Sequence, residues 1–144
     1  MPPEGDAAAR GRPERARPER ERFDLPGLAF AGMSQAVRDG ELVVVSGQVA
    51  LDAGGEVVGE GDWEAQAERA LANLEAALAA AGAAPADVVK LTCFLTDAAG
   101  YPAYSAAKNR RFEAAAPAST CVVVAALLDP RLLLEVEAIA LVRW

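Results

Sequence analysis

Pro117-Ala118-Ser119-Thr120-Cys121-Val122-Val123-Val124, a turn at Asp129-Pro130, and then Leu134-Glu135-Val136-Glu137-Ala138-Ile139-Ala140 read as two β-strands. Alternate residues of a strand point the same way. Ser119, Cys121 and Val123 therefore share a face, as do Glu135, Glu137 and Ile139. Two carboxylates in an otherwise apolar strand are costly to bury unless something pairs or uses them. The C-terminal end thus belongs to a sheet with one half-polar face.

Upstream, Gln35-Ala36-Val37-Arg38 and Leu42-Val43-Val44-Val45-Ser46 flank Asp39-Gly40. Asp-Gly between apolar runs predicts a hairpin, because a tight turn needs positive φ at its centre. Gly54-Gly55 marks a further turn, followed by a brief Val57-Val58 segment. Trp63, Ala67, Ala70, Leu71, Leu74 and Leu78 then recur at helical steps, with Asp62 as N-cap and Gly82 as stop. Val88 to Thr96 predicts a strand with Val89, Leu91, Cys93 and Leu95 on its apolar face and Lys90, Thr92, Phe94 and Thr96 on the other. A second helix starts after Gly100, tolerates Pro102 in its first turn, and ends near Ala115.

The expected order is ββαβαββ, an α+β fold with two helices on one face of a mixed sheet. The other face would carry Ser46, Lys90, Thr92, Phe94, Cys121, Val123, Glu135 and Ile139. So many apolar groups are rarely left to water, and that face is expected to pack against further subunits.

The 144 residues suit one domain. Residues 1–22 hold six arginines and five acids and almost nothing apolar, and are expected to form a disordered tail ahead of a domain over 23–144. The tail lacks the apolar core of a secretory signal, and no stretch reads as a membrane span. The domain carries eight Lys/Arg against sixteen Asp/Glu, which argues against a nucleic-acid surface. There is no histidine, and Cys93 and Cys121 lack metal-site or redox-motif spacing. No metal and no cofactor are expected, both cysteines read as small buried hydrophobes, and the cytoplasm is the expected compartment.

Met33-Ser34-Gln35-Ala36-Val37, Ser46-Gly47-Gln48, Asp87-Val88-Val89-Lys90 and Leu134-Glu135-Val136-Glu137-Ala138-Ile139-Ala140 occur in an order and spacing that resembles the reactive intermediate deaminase (Rid, or YjgF-like) family. The likeness spans roughly residues 30–142. It implies a chorismate-mutase-like homotrimer, with sheets packed inward and a small-molecule cleft at each subunit interface. It also implies hydrolysis of small imines and enamines, such as those released when pyridoxal-phosphate enzymes dehydrate serine or threonine. Glu135 matches the glutamate thought to organise the attacking water. Ser46 matches a cleft serine acting as hydroxyl donor, and Cys121 a position whose backbone faces the ligand. Met33, Phe94 and Ser119 complete the substrate-binding set that the resemblance implies.

Two positions depart from that pattern. Met33 stands where the family has a cleft tyrosine, and a thioether cannot donate a hydrogen bond. Ser119 stands where active members have the arginine that grips the substrate carboxylate, so one neutral hydroxyl replaces a charged planar fork. Arg110, Arg111 and Arg131 are the alternative cations. Three functions follow: deamination with altered substrate preference, a dedicated biosynthetic tailoring role on an unstable small intermediate, and non-catalytic small-molecule binding by a trimer. An endoribonuclease reading, described for some relatives, finds neither an acid/base histidine nor a basic patch here.

Overall fold

Apolar alternation at both ends of the chain and a helical stripe between them fold into a single mixed sheet backed by two helices. The computed structural model describes residue 16 and residues 18–143. Its strands are β1 (Glu21–Phe23), β2 (Ala36–Asp39), β3 (Leu42–Gln48), β4 (Val88–Leu95), β5 (Ala118–Val123) and β6 (Leu134–Leu141). The helices are α1 (Trp63–Ala80) and α2 (Tyr101–Phe112). The sheet order is β1-β2-β3-β6-β4-β5, antiparallel throughout except for the parallel β4–β5 pair.

Local chemistry accounts for the boundaries. Gly40 turns the β2–β3 hairpin at φ +62. The Asp62 carboxylate accepts a hydrogen bond from the Ala65 amide at 3.1 Å and caps α1. Ala67, Ala70, Leu71, Leu74, Ala77 and Leu78 are fully buried along one stripe of that helix. They meet Val43, Val45, Leu91, Cys93, Leu95, Val136, Ala138 and Ala140 of the sheet in one core. The opposite sheet face exposes Leu42, Val44, Ile139 and Leu141, paired in register across β3 and β6.

Two expectations need correction. Glu21 and Arg22, assigned to the tail, lie in β1, which pairs with β2 and is tied by the Arg20 guanidinium to Asp39. The remainder of the expected tail that falls in residues 1–15 and 17 lies outside the described residues. Val89 does not join the apolar face: a register shift between Val88 and Lys90 buries Val88 and exposes Val89. The Val57-Val58 segment makes only an isolated bridge, Leu51 to Val57.

Candidate functional site

Glu135 leaves β6 on the uncovered face, opposite Phe94 of β4. Beneath it β3 is irregular. Val45 pairs with Ala138 and Gln48 with Val136, so Ser46 and Gly47 occupy a bulge with one extra residue. The Glu135 side chain rests on that bulge: a Cβ built on Gly47 would lie 1.9 Å from Glu135 Oε1. Glycine at this position leaves the carboxylate its present seat, which a larger residue would make it give up. Among the described residues the carboxylate has no hydrogen bond and no ion pair. Burial, and secondarily the charge of Glu137, raises its pKa above the usual 4.5. A half-buried, unpaired carboxylate with raised proton affinity is suited to hold a water and exchange a proton with a ligand.

The bulge is held from behind by amides. Gln48 Nε2 donates to Gln35 Oε1 at 2.8 Å, and Gln35 Nε2 donates to the Leu28 carbonyl at 2.7 Å, all in the interior. The Ser46 hydroxyl donates to the Ser34 carbonyl at 2.6 Å. Its one proton is therefore committed to the backbone, so the expected donor role toward a ligand is not available in this arrangement. Only the oxygen lone pairs remain. Met33, beside Ser34, is exposed. Ser46, Gly47 and Glu135 thus lie together at the bulge, and Met33 is the chain neighbour of the Ser34 carbonyl that Ser46 binds.

Ser119 and Cys121 do not join it. In the parallel β4–β5 register Leu91 pairs with Ser119 and Cys93 with Cys121. Leu91 and Cys93 are core residues, so their partners also face the helices. The expectation that Cys121 and Val123 share the uncovered face with Glu135 is overturned; Thr120 and Val122 take that face instead. Around Ser119 and Cys121 stand Tyr104 and Lys108 of α2. The Tyr104 hydroxyl is buried, and the nearby Ser119 hydroxyl favours its ionised form. Burial is the larger influence and pushes this phenol up.

The three arginines considered as substitutes are all engaged. Arg110 and Arg111 both pair with Glu68 of α1, at 2.8 Å for Arg111 Nη2. Arg111 Nε also approaches Glu75 as an ion pair, without hydrogen-bond geometry. Arg131 pairs with Asp129 two residues away at 2.8 Å. Two lysines reach β5: Lys90 Nζ donates to Thr120 Oγ1 at 2.6 Å, and Lys108, not singled out from the sequence, acts on the two thiols. Its charge favours ionisation of both thiols, although burial outweighs it and raises both. Lys108 sits one helical turn beyond Tyr104, with Nζ 6.0 Å from the ring centroid. That i, i+4 spacing was the available signal. Among the described residues no group of three or more His, Cys, Asp or Glu could hold a metal ion, and no helix is long and apolar enough to cross a membrane.

With this geometry in view, comparison with known proteins is direct. The chain belongs to the reactive intermediate deaminase (Rid/YjgF-like) family: the family described as endoribonuclease L-PSP matches residues 27–142. It is 41% identical over 115 residues to the protein DfrA of Myxococcus xanthus, covering 78% of this chain and 86% of that one. It is 38% identical over 116 residues to the 2-iminobutanoate/2-iminopropanoate deaminase of Salmonella typhimurium, covering 76% and 86%. A crystal structure of a YjgF/YER057c/UK114 family member from Mycobacterium tuberculosis superposes with a TM-score of 0.76 at 36% identity, covering 86% of this chain and all of that one.

Proposed function

We propose that this protein hydrolyses small reactive imines or enamines, with Glu135 as the group that positions water and moves the proton. The observation that carries this reading is the unpaired, desolvated Glu135 carboxylate seated on Gly47. Water held by Glu135 attacks the C=N carbon, and the proton it yields passes to the departing nitrogen. Positioning and local electrostatics supply most of the gain in such a reaction. The deaminase named among the relatives supports the reaction class. Ribonuclease chemistry is not favoured, since the chain has no histidine to serve as its acid/base pair.

The functional unit in this reading is a homotrimer. The apolar stripe of Leu42, Val44, Ile139 and Leu141 calls for a protein partner. Glu135 and Ser119 lie on opposite faces of one chain's sheet, so a cleft containing both takes one from each of two subunits. In that cleft Ser119 offers a hydroxyl where relatives are understood to offer an arginine, so the preferred substrate depends less on a carboxylate grip. Loss of a charge-assisted bidentate contact in a shielded site costs on the order of 2–5 kcal/mol.

The test is a coupled assay in which a dehydratase releases 2-aminoacrylate or 2-aminocrotonate, extended to imines lacking a carboxylate, with Glu135→Gln as control. Expected are slow turnover of the two acids, faster turnover of an uncharged imine, and loss of both in the variant. Turnover unchanged in Glu135→Gln would overturn the assignment. Light scattering at three times the chain mass is expected alongside, and a monomer at micromolar concentration would remove the interfacial cleft.

A further inference from the structure

The two cysteines, far apart in sequence, are direct register partners on β4 and β5. Both are free thiols on the helix side of the sheet. Adjacent strands run about 4.8 Å apart, which lies within the Cα separation that a disulfide spans. Cys93 is fully buried, whereas Cys121 is half-buried. A dissolved reagent therefore meets Cys121 first, and Cys93 can react only with what Cys121 becomes. Burial raises both thiols, and contact between the two works against that rise in Cys121 while adding to it in Cys93. β5 is also the edge strand of the sheet, paired within the chain only with β4.

We propose that Cys93 and Cys121 form a reversible oxidation site, in which a peroxide closes an intrachain disulfide joining β4 to β5. The Cys121 thiolate attacks one oxygen of hydrogen peroxide. The O–O bond breaks, hydroxide leaves and takes up the thiol proton as water, and Cys121 becomes a sulfenic acid. Cys93 sulfur then attacks Cys121 sulfur; the S–O bond breaks and the second hydroxide leaves with the Cys93 proton as water. Two thiols and one peroxide give one disulfide and two waters, with two electrons passing from sulfur to oxygen.

Reversibility follows from the sheet. Neighbouring strands lie about 4.7–4.9 Å apart, whereas a disulfide draws the Cβ atoms to about 3.5–4.5 Å. Closure pulls β5 inward against its ladder, and a bond held under such load is readily reduced. The inference does not rest on the hydrolytic reading, although Cys121 lies two residues from Ser119 on the same face of β5.

The experiment is native treatment of the full chain with hydrogen peroxide, followed by alkylation of remaining thiols and peptide mapping without reductant. Expected is simultaneous loss of both thiols, a cross-linked peptide pair containing Cys93 and Cys121, and full recovery with reduced glutathione. In Cys93→Ala, Cys121 should instead advance to sulfinic or sulfonic acid, which glutathione does not reverse. The proposal is overturned if wild-type Cys121 gains oxygen while Cys93 stays alkylatable, or if the disulfides found join separate chains. The wild-type map decides by itself should Cys93→Ala fail to fold.

Discussion

Replacing Gly47 with alanine should disturb the protein through one contact. The new methyl group would stand 1.9 Å from Glu135 Oε1, 2.8 Å from Cδ and 3.0 Å from Cγ. Ordinary carbon contacts need about 3.5 Å, so the carboxylate must retreat by roughly 1.5 Å. The obstacle is the end of a flexible side chain, and Gly47 does not have the positive φ that alanine resists. The cost is therefore an off-rotamer glutamate plus modest overpacking, about 1–2 kcal/mol. Without the clash the sign reverses, because Gly→Ala at a compatible backbone position stabilises by about 0.4–1 kcal/mol. Urea unfolding of the wild type, Gly47→Ala, Glu135→Ala and the double variant measures this. The coupling between the sites should be about 1.5–3 kcal/mol, with Gly47→Ala harmless or helpful once Glu135 is absent. Turnover of an imine should fall roughly 100-fold in Gly47→Ala, the usual effect of misplacing a reacting group by an ångström. Additivity of the two substitutions to within about 0.5 kcal/mol would refute the reasoning, since independent sites behave that way.

Three further outcomes are expected. Because burial raises the Glu135 pKa above 4.5, the native state binds more protons there than the unfolded chain, and ionisation costs stability as pH rises through the raised value. Glu135→Gln should accordingly have the higher melting temperature at pH 7, with the gap closing below about pH 4.5; an equal gap at both ends would refute the burial argument. Gln48→Met removes the donor to buried Gln35 Oε1 and should cost about 1–3 kcal/mol in thermal unfolding, whereas a loss under about 0.5 would mean that Gln35 finds another partner. Ser119→Arg should raise turnover of 2-aminoacrylate at least tenfold while leaving that of an uncharged imine nearly unchanged, and equal gains on both would show that charge recognition is not what changed.

Much of the architecture was legible because its signals are local. Asp39-Gly40 marked the hairpin, and the stripe from Trp63 to Leu78 with its Asp62 cap marked α1. Alternation showed that Ser119 and Cys121 face together, but a period of two cannot say which side of the sheet that is. The side follows from the partner strand, and the parallel register of β5 against β4 is a property of the assembled sheet. The Val88–Lys90 irregularity reversed Val89 for a similar reason, since a bulge shifts the phase without changing composition. β1 carried no apolar signal beyond Phe23; backbone pairing and the Arg20–Asp39 bridge define it. At the site, Glu135 was visible as a carboxylate in an apolar strand. Its seat on Gly47 and the reach of Lys108 toward Cys121 join residues distant in sequence, where no local pattern points.

The placement of Ser119 bears on how such a protein diversifies. Residues 118–120 at the start of β5 are exposed, on a strand with a single neighbour in the chain; Thr120 accepts from Lys90 and the Ser119 hydroxyl lies by Tyr104, so changes here disturb few contacts. Glu135 lies over a glycine whose substitution would displace the carboxylate, above a buried chain of amides that would lose hydrogen bonds if altered. Substitutions near residue 119 therefore escape the stability threshold that purges changes around residues 35, 47 and 48. On the proposed reading, a lineage built this way varies its substrate contacts along one strand margin while the seat of Glu135 stays fixed.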